Sequence, residues 1–217
     1  MRLLLISDEE SPYLWDYYQP GRLKEIDAIL SCGDLKKEYL EFLVTMAGKP
    51  LYYVPGNHDR HFVEAPPEGC ECLDEDLVNI GGVRVAGLGG CLRYRPGPYQ
   101  YTEKEMEARV RRLEKKIRKA GGLDILIAHA PPRGYGDAPD GAHRGFAAFL
   151  PLMEKYRPRY VIHGHLHPSY GYGLPREIPC GETTVMNAVG WRILEIEPCV
   201  PPAPEKKRRF PFRFIRH

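Results

Sequence analysis

The sequence predicts an α/β fold, a layered β-sandwich of two mixed sheets flanked by helices. Two observations carry that expectation: short apolar runs alternate with helical patterns through most of the chain, and paired strand-like segments close it. A third bears on chemistry. Five of the apolar runs end on a metal-ligating or acid–base side chain, at Asp8, Asp34, Asn57, His129 and His165.

Leu3 to Ile6 reads as the first strand and ends at Ser7-Asp8-Glu9-Glu10. Residues 11–21 are aromatic and irregular, and a short helix is expected from Arg22. Ala28 to Cys32 is the second strand, ending at Gly33-Asp34. Tyr39, Leu40, Phe42, Leu43 and Met46 recur at helical spacing, so a helix over 38–46 packs back on the sheet. Leu51 to Val54 is the next strand, and Pro55-Gly56 force a turn that places Gly56-Asn57-His58-Asp59 on a strand-to-loop junction. Taken alone, those four residues read equally well as an ordinary polar turn.

Leu77 to Leu88 holds two short strands around Gly81-Gly82, followed by a loop over 89–101 rich in Gly, Pro, Arg and Tyr. The clearest helix follows. Thr102 is its N-cap, Glu105 occupies the capping-box position, and Met106, Val110, Leu113 and Ile117 form an apolar stripe that Gly121-Gly122 terminate. Asp124 to Ala128 is a strand ending at His129, with a loop over 131–145 and a helix from about Phe146 behind it. Tyr160 to Ile162 is a strand ending at His163-Gly164-His165-Leu166-His167. Thr183 to Met186 and Trp191 to Ile196 read as a closing hairpin around Asn187 and Gly190. No internal repeat is present in the sequence.

A chain of 217 residues suits one domain, here 1–199, with a separate tail over 200–217. Hydrophobic content of 43% and charged content of 28% are those of a globular chain. No apolar run approaches the roughly 18 residues of a membrane span. The N-terminus meets Asp8, Glu9 and Glu10 too soon for a signal peptide, so the six cysteines are expected reduced and the protein cytoplasmic. Cys70 and Cys72 read as loop thiols and Cys32 as a small core residue. The net charge of +2 conceals an asymmetry: the tail carries Lys206, Lys207, Arg208, Arg209, Arg213 and Arg216 against Glu205, which leaves the body acidic. Cations interleaved with Phe210, Phe212, Phe214 and Ile215 suit an anionic membrane or nucleic acid. Docking on the tail's own domain or on a second copy in a homo-oligomer competes with that reading.

Asp8, Asp34, Asn57, His129, His165 and His167 share the C-terminal ends of predicted strands, the edge where open α/β sheets bind ligands. Mixed carboxylate, amide and imidazole donors suit divalent Mn, Fe or Zn. The ordered series Asp8-x-Glu10, Gly33-Asp34, Gly56-Asn57-His58-Asp59, His129 and Gly164-His165-x-His167 resembles the calcineurin-like metallophosphoesterase superfamily across nearly the whole folded region. The resemblance implies two divalent ions, with Asp8, Asp34 and His167 on one, Asn57, His129 and His165 on the other, and Asp34 bridging. It further implies hydrolysis of a small phosphate ester by a metal-bridged hydroxide. His58 would protonate the leaving oxygen or hold the phosphoryl group, and Asp59 would orient its ring.

The superfamily pattern begins Asp-x-His, and this chain has Glu10 at the third position. A ligating Glu10 would lower the site's positive charge, which points to Mn and to monoanionic phosphodiesters over phosphomonoesters. Glu10 facing solvent is the alternative. His143 follows a His-x-Pro-Pro segment, as a comparable histidine does in similar metallophosphoesterases, and either faces substrate or starts a helix. His163, inside the strand end, reads as a core group. Arg93, Tyr94 and Arg95 in the 89–101 loop can pair a phosphate and stack a flat group, or be structural. A phosphoesterase, a non-catalytic metal-binding scaffold and a nuclease are the function classes in play, the last favoured only by the tail.

Overall fold

Strand β1 (Arg2–Ser7) shows how the layers are assembled. Leu3 and Leu5 point one way and Leu4 and Ile6 the other, yet all four are fully buried. A strand covered on both faces reads as a continuous apolar run rather than an alternating one. Leu3 and Leu5 join a core between two sheets with Leu30, Val85, Ile127 and Ile162, while Leu4 and Ile6 pack beneath a helix against Tyr39, Leu40 and Leu43.

The structure is a computed structural model that describes residues 1–170, 173 and 175–198. The basic tail and the expected boundary at 199 lie outside the described residues. β1 is followed by β2 (Ala28–Ser31), α1 (Lys37–Ala47), β3 (Leu51–Tyr53), β4 (Glu71–Cys72), β5 (Leu77–Ile80), β6 (Val83–Leu88), β7 (Cys91–Leu92) and β8 (Gln100–Tyr101). Then come α2 (Glu103–Lys119), β9 (Ile125–Ala128), α3 (Phe149–Tyr156), β10 (Tyr160–His163), β11 (Glu177–Cys180), β12 (Thr183–Asn187) and β13 (Gly190–Glu195). One sheet runs β13-β1-β2-β3-β4 and the other β11-β12-β10-β9-β6-β5. Both are mixed. β1, β2, β3 and β4 are parallel with β13 antiparallel, and β6, β9, β10 and β12 are parallel with β5 and β11 antiparallel at the edges. α1 covers the outer face of the first sheet, and α2 and α3 cover that of the second through Met106, Leu113, Phe149 and Leu152. The expected sandwich of two mixed sheets with helices outside is the architecture found.

Thr102 and Glu105 close the capping box of α2 in both directions, and its apolar stripe is buried. Other expectations give way. No helix begins at Arg22; residues 20–25 form turns, with Gly21 at φ 84° and the Arg22 guanidinium donating to the Tyr13 and Tyr17 carbonyls. The helix expected from Phe146 starts at Phe149, because Phe146 exchanges backbone hydrogen bonds with Pro131 and Arg133 in an extended segment. The closing hairpin is no hairpin. β12 pairs with β10 in one sheet and β13 with β1 in the other, and the Asn187–Gly190 link steps between layers. β4 and β11 carry no clear strand pattern, the first being two exposed residues and the second an edge strand interrupted by Pro179. Among the described residues, no helix is long and apolar enough to cross a membrane.

Candidate metal centre

The parallel strands β1, β2 and β3 of one sheet and β9 and β10 of the other deliver Asp8, Asp34, Asn57, His129 and His165 from their C-terminal ends. Three of these residues turn into the cleft through left-handed backbone: Asp8 at φ 61°, Asp34 at φ 56° and His165 at φ 66°. Residues with a Cβ occupy that region at a cost and need surrounding bonds to hold them there. Asp8 N–H donates to the Gly33 carbonyl at 3.1 Å, Asp34 N–H to Asp59 Oδ2 at 2.8 Å, and His165 N–H to Asp8 Oδ2 at 2.9 Å. Two glycines keep the cleft open. A Cβ on Gly56 would stand 2.0 Å from Asp34 Oδ1, and one on Gly164 would stand 1.9 Å from Ser7 Oγ and 2.1 Å from Asp8 Oδ2.

His129 is fully buried, and its Nδ1 lies 2.8 Å from the Cys32 carbonyl. With Nδ1–H donating there, Nε2 turns a lone pair toward Asn57 Oδ1 at 3.0 Å and Asp34 Oδ2 at 3.2 Å. Asn57 is oriented in turn, since its Nδ2 donates to the Tyr94 hydroxyl at 3.3 Å and leaves Oδ1 facing the imidazole. In the neutral tautomer these are three lone-pair donors facing one another, an arrangement that either a proton or a metal cation between them satisfies. Their spacing matches the ~3 Å edge of an octahedral site with bonds of about 2.1 Å. Burial alone would make His129 less basic, but the Asp34 carboxylate beside it brings its pKa up to about 10. Burial likewise opposes ionisation of Asp34, and the His129 charge and hydrogen bond nevertheless bring that carboxyl down to about 2. A proton thus stands where a metal ion fits. Ligand atoms of Asp34, His129 and His165 all lie within 4.8 Å of one another. Burial and the neighbouring His129 charge push His165 down to about 4, so its imidazole is neutral and able to ligate. Its Nε2 lies 2.8 Å from the Ala142 carbonyl, which directs Nδ1 inward.

Asp8 and His167 mark the other end. His167 Nε2 lies 3.5 Å from Asp8 Oδ1, and a hydrogen bond to Asp8 is the main cause of its rise to about 9. The nearly buried Asp8 carboxylate also accepts from Ser7 Oγ at 2.5 Å. Here the structure corrects the reading of Glu10. Glu10 Oε1 accepts the Lys36 N–H at 3.0 Å and its other oxygen faces Lys36 Nζ, so this carboxylate is engaged at the start of α1. Glu9 takes the place beside the site, with Oε1 at 2.9 Å from His167 Nδ1.

Two more roles change. Asp59 does not orient the His58 ring; its Oδ2 accepts the backbone N–H groups of Gly56 and Asp34, both at 2.8 Å, and so braces the two ligand-bearing turns. Burial and the nearby Asp34 charge raise its carboxyl to about 7. Arg93, expected to meet substrate, is engaged elsewhere: both oxygens of Glu105 and the Gln100 carbonyl hold its guanidinium and tie the loop to the start of α2. His58 is exposed, its N–H donating to Asp34 Oδ1 at 2.8 Å. His143 reaches the site: its ring lies 5.3 Å from His165 and 5.0 Å from Tyr170, with Nδ1 held by Asp140 at 3.0 Å. His163 is buried away from solvent and bonded to the Gly164 carbonyl, with burial pushing its pKa down to about 4. Sequence reasoning missed Glu9, the Tyr94 contact to Asn57, and Asn187, whose Nδ2 donates to the Leu166 carbonyl and pins the turn between His165 and His167.

Known proteins place this arrangement. The family model for calcineurin-like phosphoesterases matches residues 1–169. A UPF0046 protein of Caenorhabditis elegans is 40% identical over 105 residues, which cover 46% of this chain and 24% of that protein. Human metallophosphoesterase domain-containing protein 1 is 28% identical over 158 residues, 68% of this chain and 45% of the relative. The chain thus spans about a quarter of the nematode protein's length and under half of the human protein's. The crystal structure of TT1561 from Thermus thermophilus shares the fold, with a TM-score of 0.57 at 18% identity over 87% of this chain and 89% of that one. With the family model covering most of the chain and the donor cluster lying within its span, this chain belongs to the calcineurin-like phosphoesterase family.

Proposed function

We propose that the protein is a metal-dependent phosphoesterase that hydrolyses a small phosphodiester. The observation that carries this reading is the convergence of Asp34, Asn57, His129 and His165 on one cation-shaped space next to an exposed His58. Asn57, His129 and His165 would hold one divalent ion and Asp8 and His167 the other, with Asp34 between them. When bound, the ions supply an acidified water and positive charge for the phosphoryl oxygens. The chain's own groups do the rest. Asp59 and the Cys32 carbonyl fix Asp34 and His129, and Tyr94 fixes Asn57, so the donor set is rigid before anything binds. His58, at the surface beside Asn57, delivers a proton to the departing oxygen. His143, tethered by Asp140, faces the substrate across His165.

Support for a diester lies in the charge. Asp8 and Asp34 leave two divalent ions with a formal sum of roughly +2, and the half-exposed Glu9 carboxylate behind His167 draws the local charge down further, toward a monoanion rather than a dianion. Oxygen donors from Asp8, Asp34 and Asn57 favour Mn among the first-row ions. The test is turnover of bis(p-nitrophenyl) phosphate against p-nitrophenyl phosphate with added Mn. We expect a preference for the diester, loss with chelator, and a fall of about 100-fold or more in kcat for His58→Ala. Equal turnover of both esters would overturn the diester assignment, and chelator-resistant turnover the metal dependence.

A further inference from the structure

A cavity of about 280 Å³ opens directly beside His58, walled by Asn57, His58, Arg60, Arg95, Pro96 and Pro98. The segment that builds it is held from several sides. Arg93 anchors its base to Glu105, and the buried Gln100 accepts the N–H groups of Tyr94 at 3.4 Å and Arg95 at 3.2 Å. Tyr94 reaches back to Asn57, and Pro96 and Pro98 stiffen the rim. Out of this braced loop Arg95 projects with its guanidinium 5.3 Å from the Tyr94 ring, and Arg60 stands at the start of the short 3-10 turn that follows Asp59. Both arginines are exposed, and among the described residues neither has a carboxylate partner. Other arginines divide: Arg93, Arg112 and Arg192 meet acids at the surface, whereas Arg22 and Arg144 donate to backbone carbonyls. Two guanidiniums without carboxylate partners on one small cavity, adjoining the exposed His58, suit an anion.

We propose that this cavity is a leaving-group subsite for a second phosphate, so that the substrate is a phosphodiester whose leaving alcohol itself carries a phosphate. The assignment rests on the phosphodiesterase reading of the metal centre. Arg95 and Arg60 bind the second phosphate as a bidentate clamp while the scissile one lies on the metal donors. The rigid loop sets the distance between the two phosphates and selects against monophosphorylated esters.

Thymidine 3′,5′-bisphosphate and thymidine 5′-monophosphate, titrated by calorimetry into the Mn-loaded full chain, test this without relying on turnover. Wild type is expected to bind the bisphosphate about tenfold more tightly, and Arg95→Ala and Arg60→Ala each to bring the ratio close to one. Arg95→Lys restores part of the preference, since a point charge replaces the planar fork. A ratio near one in wild type, or a ratio unchanged in both alanine variants, overturns the proposal. Failure to turn over bis(p-nitrophenyl) phosphate overturns the phosphodiesterase reading instead, and the two results are obtained separately.

Discussion

Replacing Asp59 by Asn and by Ala separates a bracing carboxylate from one that acts through its charge. Both backbone N–H groups that Asp59 receives, from Gly56 and from Asp34, end on the same oxygen, Oδ2, at 2.8 Å. An amide oxygen in the same position keeps both bonds, whereas alanine leaves two N–H groups in a region where the side chain was 1% exposed. Each unsatisfied buried donor costs about 1–3 kcal/mol, so Asp59→Ala is expected to lose roughly 2–6 kcal/mol, and Asp59→Asn less than about 1 kcal/mol near neutral pH. The pH dependence follows from the raised carboxyl. The folded pKa of about 7 lies above the ordinary 3.8, so the contribution of Asp59 is fully present below the unfolded value and is lost as pH rises through 7. In metal-free protein, wild type should therefore lose stability relative to Asp59→Asn as pH rises from about 4 to above 7. Urea unfolding of the three metal-free proteins at several pH values reads out both effects. Equal destabilisation by Asn and Ala would show that the negative charge, and not the acceptor geometry, is what the site needs.

Glu9→Gln is expected to lower Mn affinity by about 10-fold, as loss of a carboxylate behind a histidine ligand does, while Glu10→Gln leaves metal content unchanged and slightly weakens the start of α1. Metal analysis after dialysis decides, and a larger loss in Glu10→Gln would restore Glu10 as a ligand. Gly164→Ala should abolish stable metal retention, because its Cβ would displace Ser7 and the Asp8 carboxylate; full retention would show that Asp8 is not needed to hold the ion. Arg109→Leu is expected to cost about 3–5 kcal/mol in urea unfolding, since the buried guanidinium holds Asp74 at 2.5 Å and Glu75 at 3.0 Å beneath α2. A loss under about 1 kcal/mol would mean that Arg112 alone neutralises this cluster.

The order of ligand-bearing turns was legible because each follows a buried strand, and a strand covered on both faces announces itself as an unbroken apolar run such as Leu3-Leu4-Leu5-Ile6. α2 was legible for a similar local reason, its capping box and stripe lying within one segment. The last two strands were less so. β12 and β13 are each strand-like, and nothing in their residues says that they belong to different sheets, since partner choice depends on β10 and β1 far away in sequence.

Which side chains could bind a metal, and that they gather at one edge, was determined by the sequence alone: residue chemistry and strand period are local properties. Which carboxylate of Glu9 and Glu10 turns toward His167 was decided only in three dimensions. Asp8 lies at φ 61°, which breaks the strand's alternation at that residue, so spacing ceases to report direction for the two that follow. The same holds for the arginines of the 93–95 stretch. They are alike in sequence, and only packing against Glu105 makes Arg93 a strut and leaves Arg95 facing the cavity beside His58.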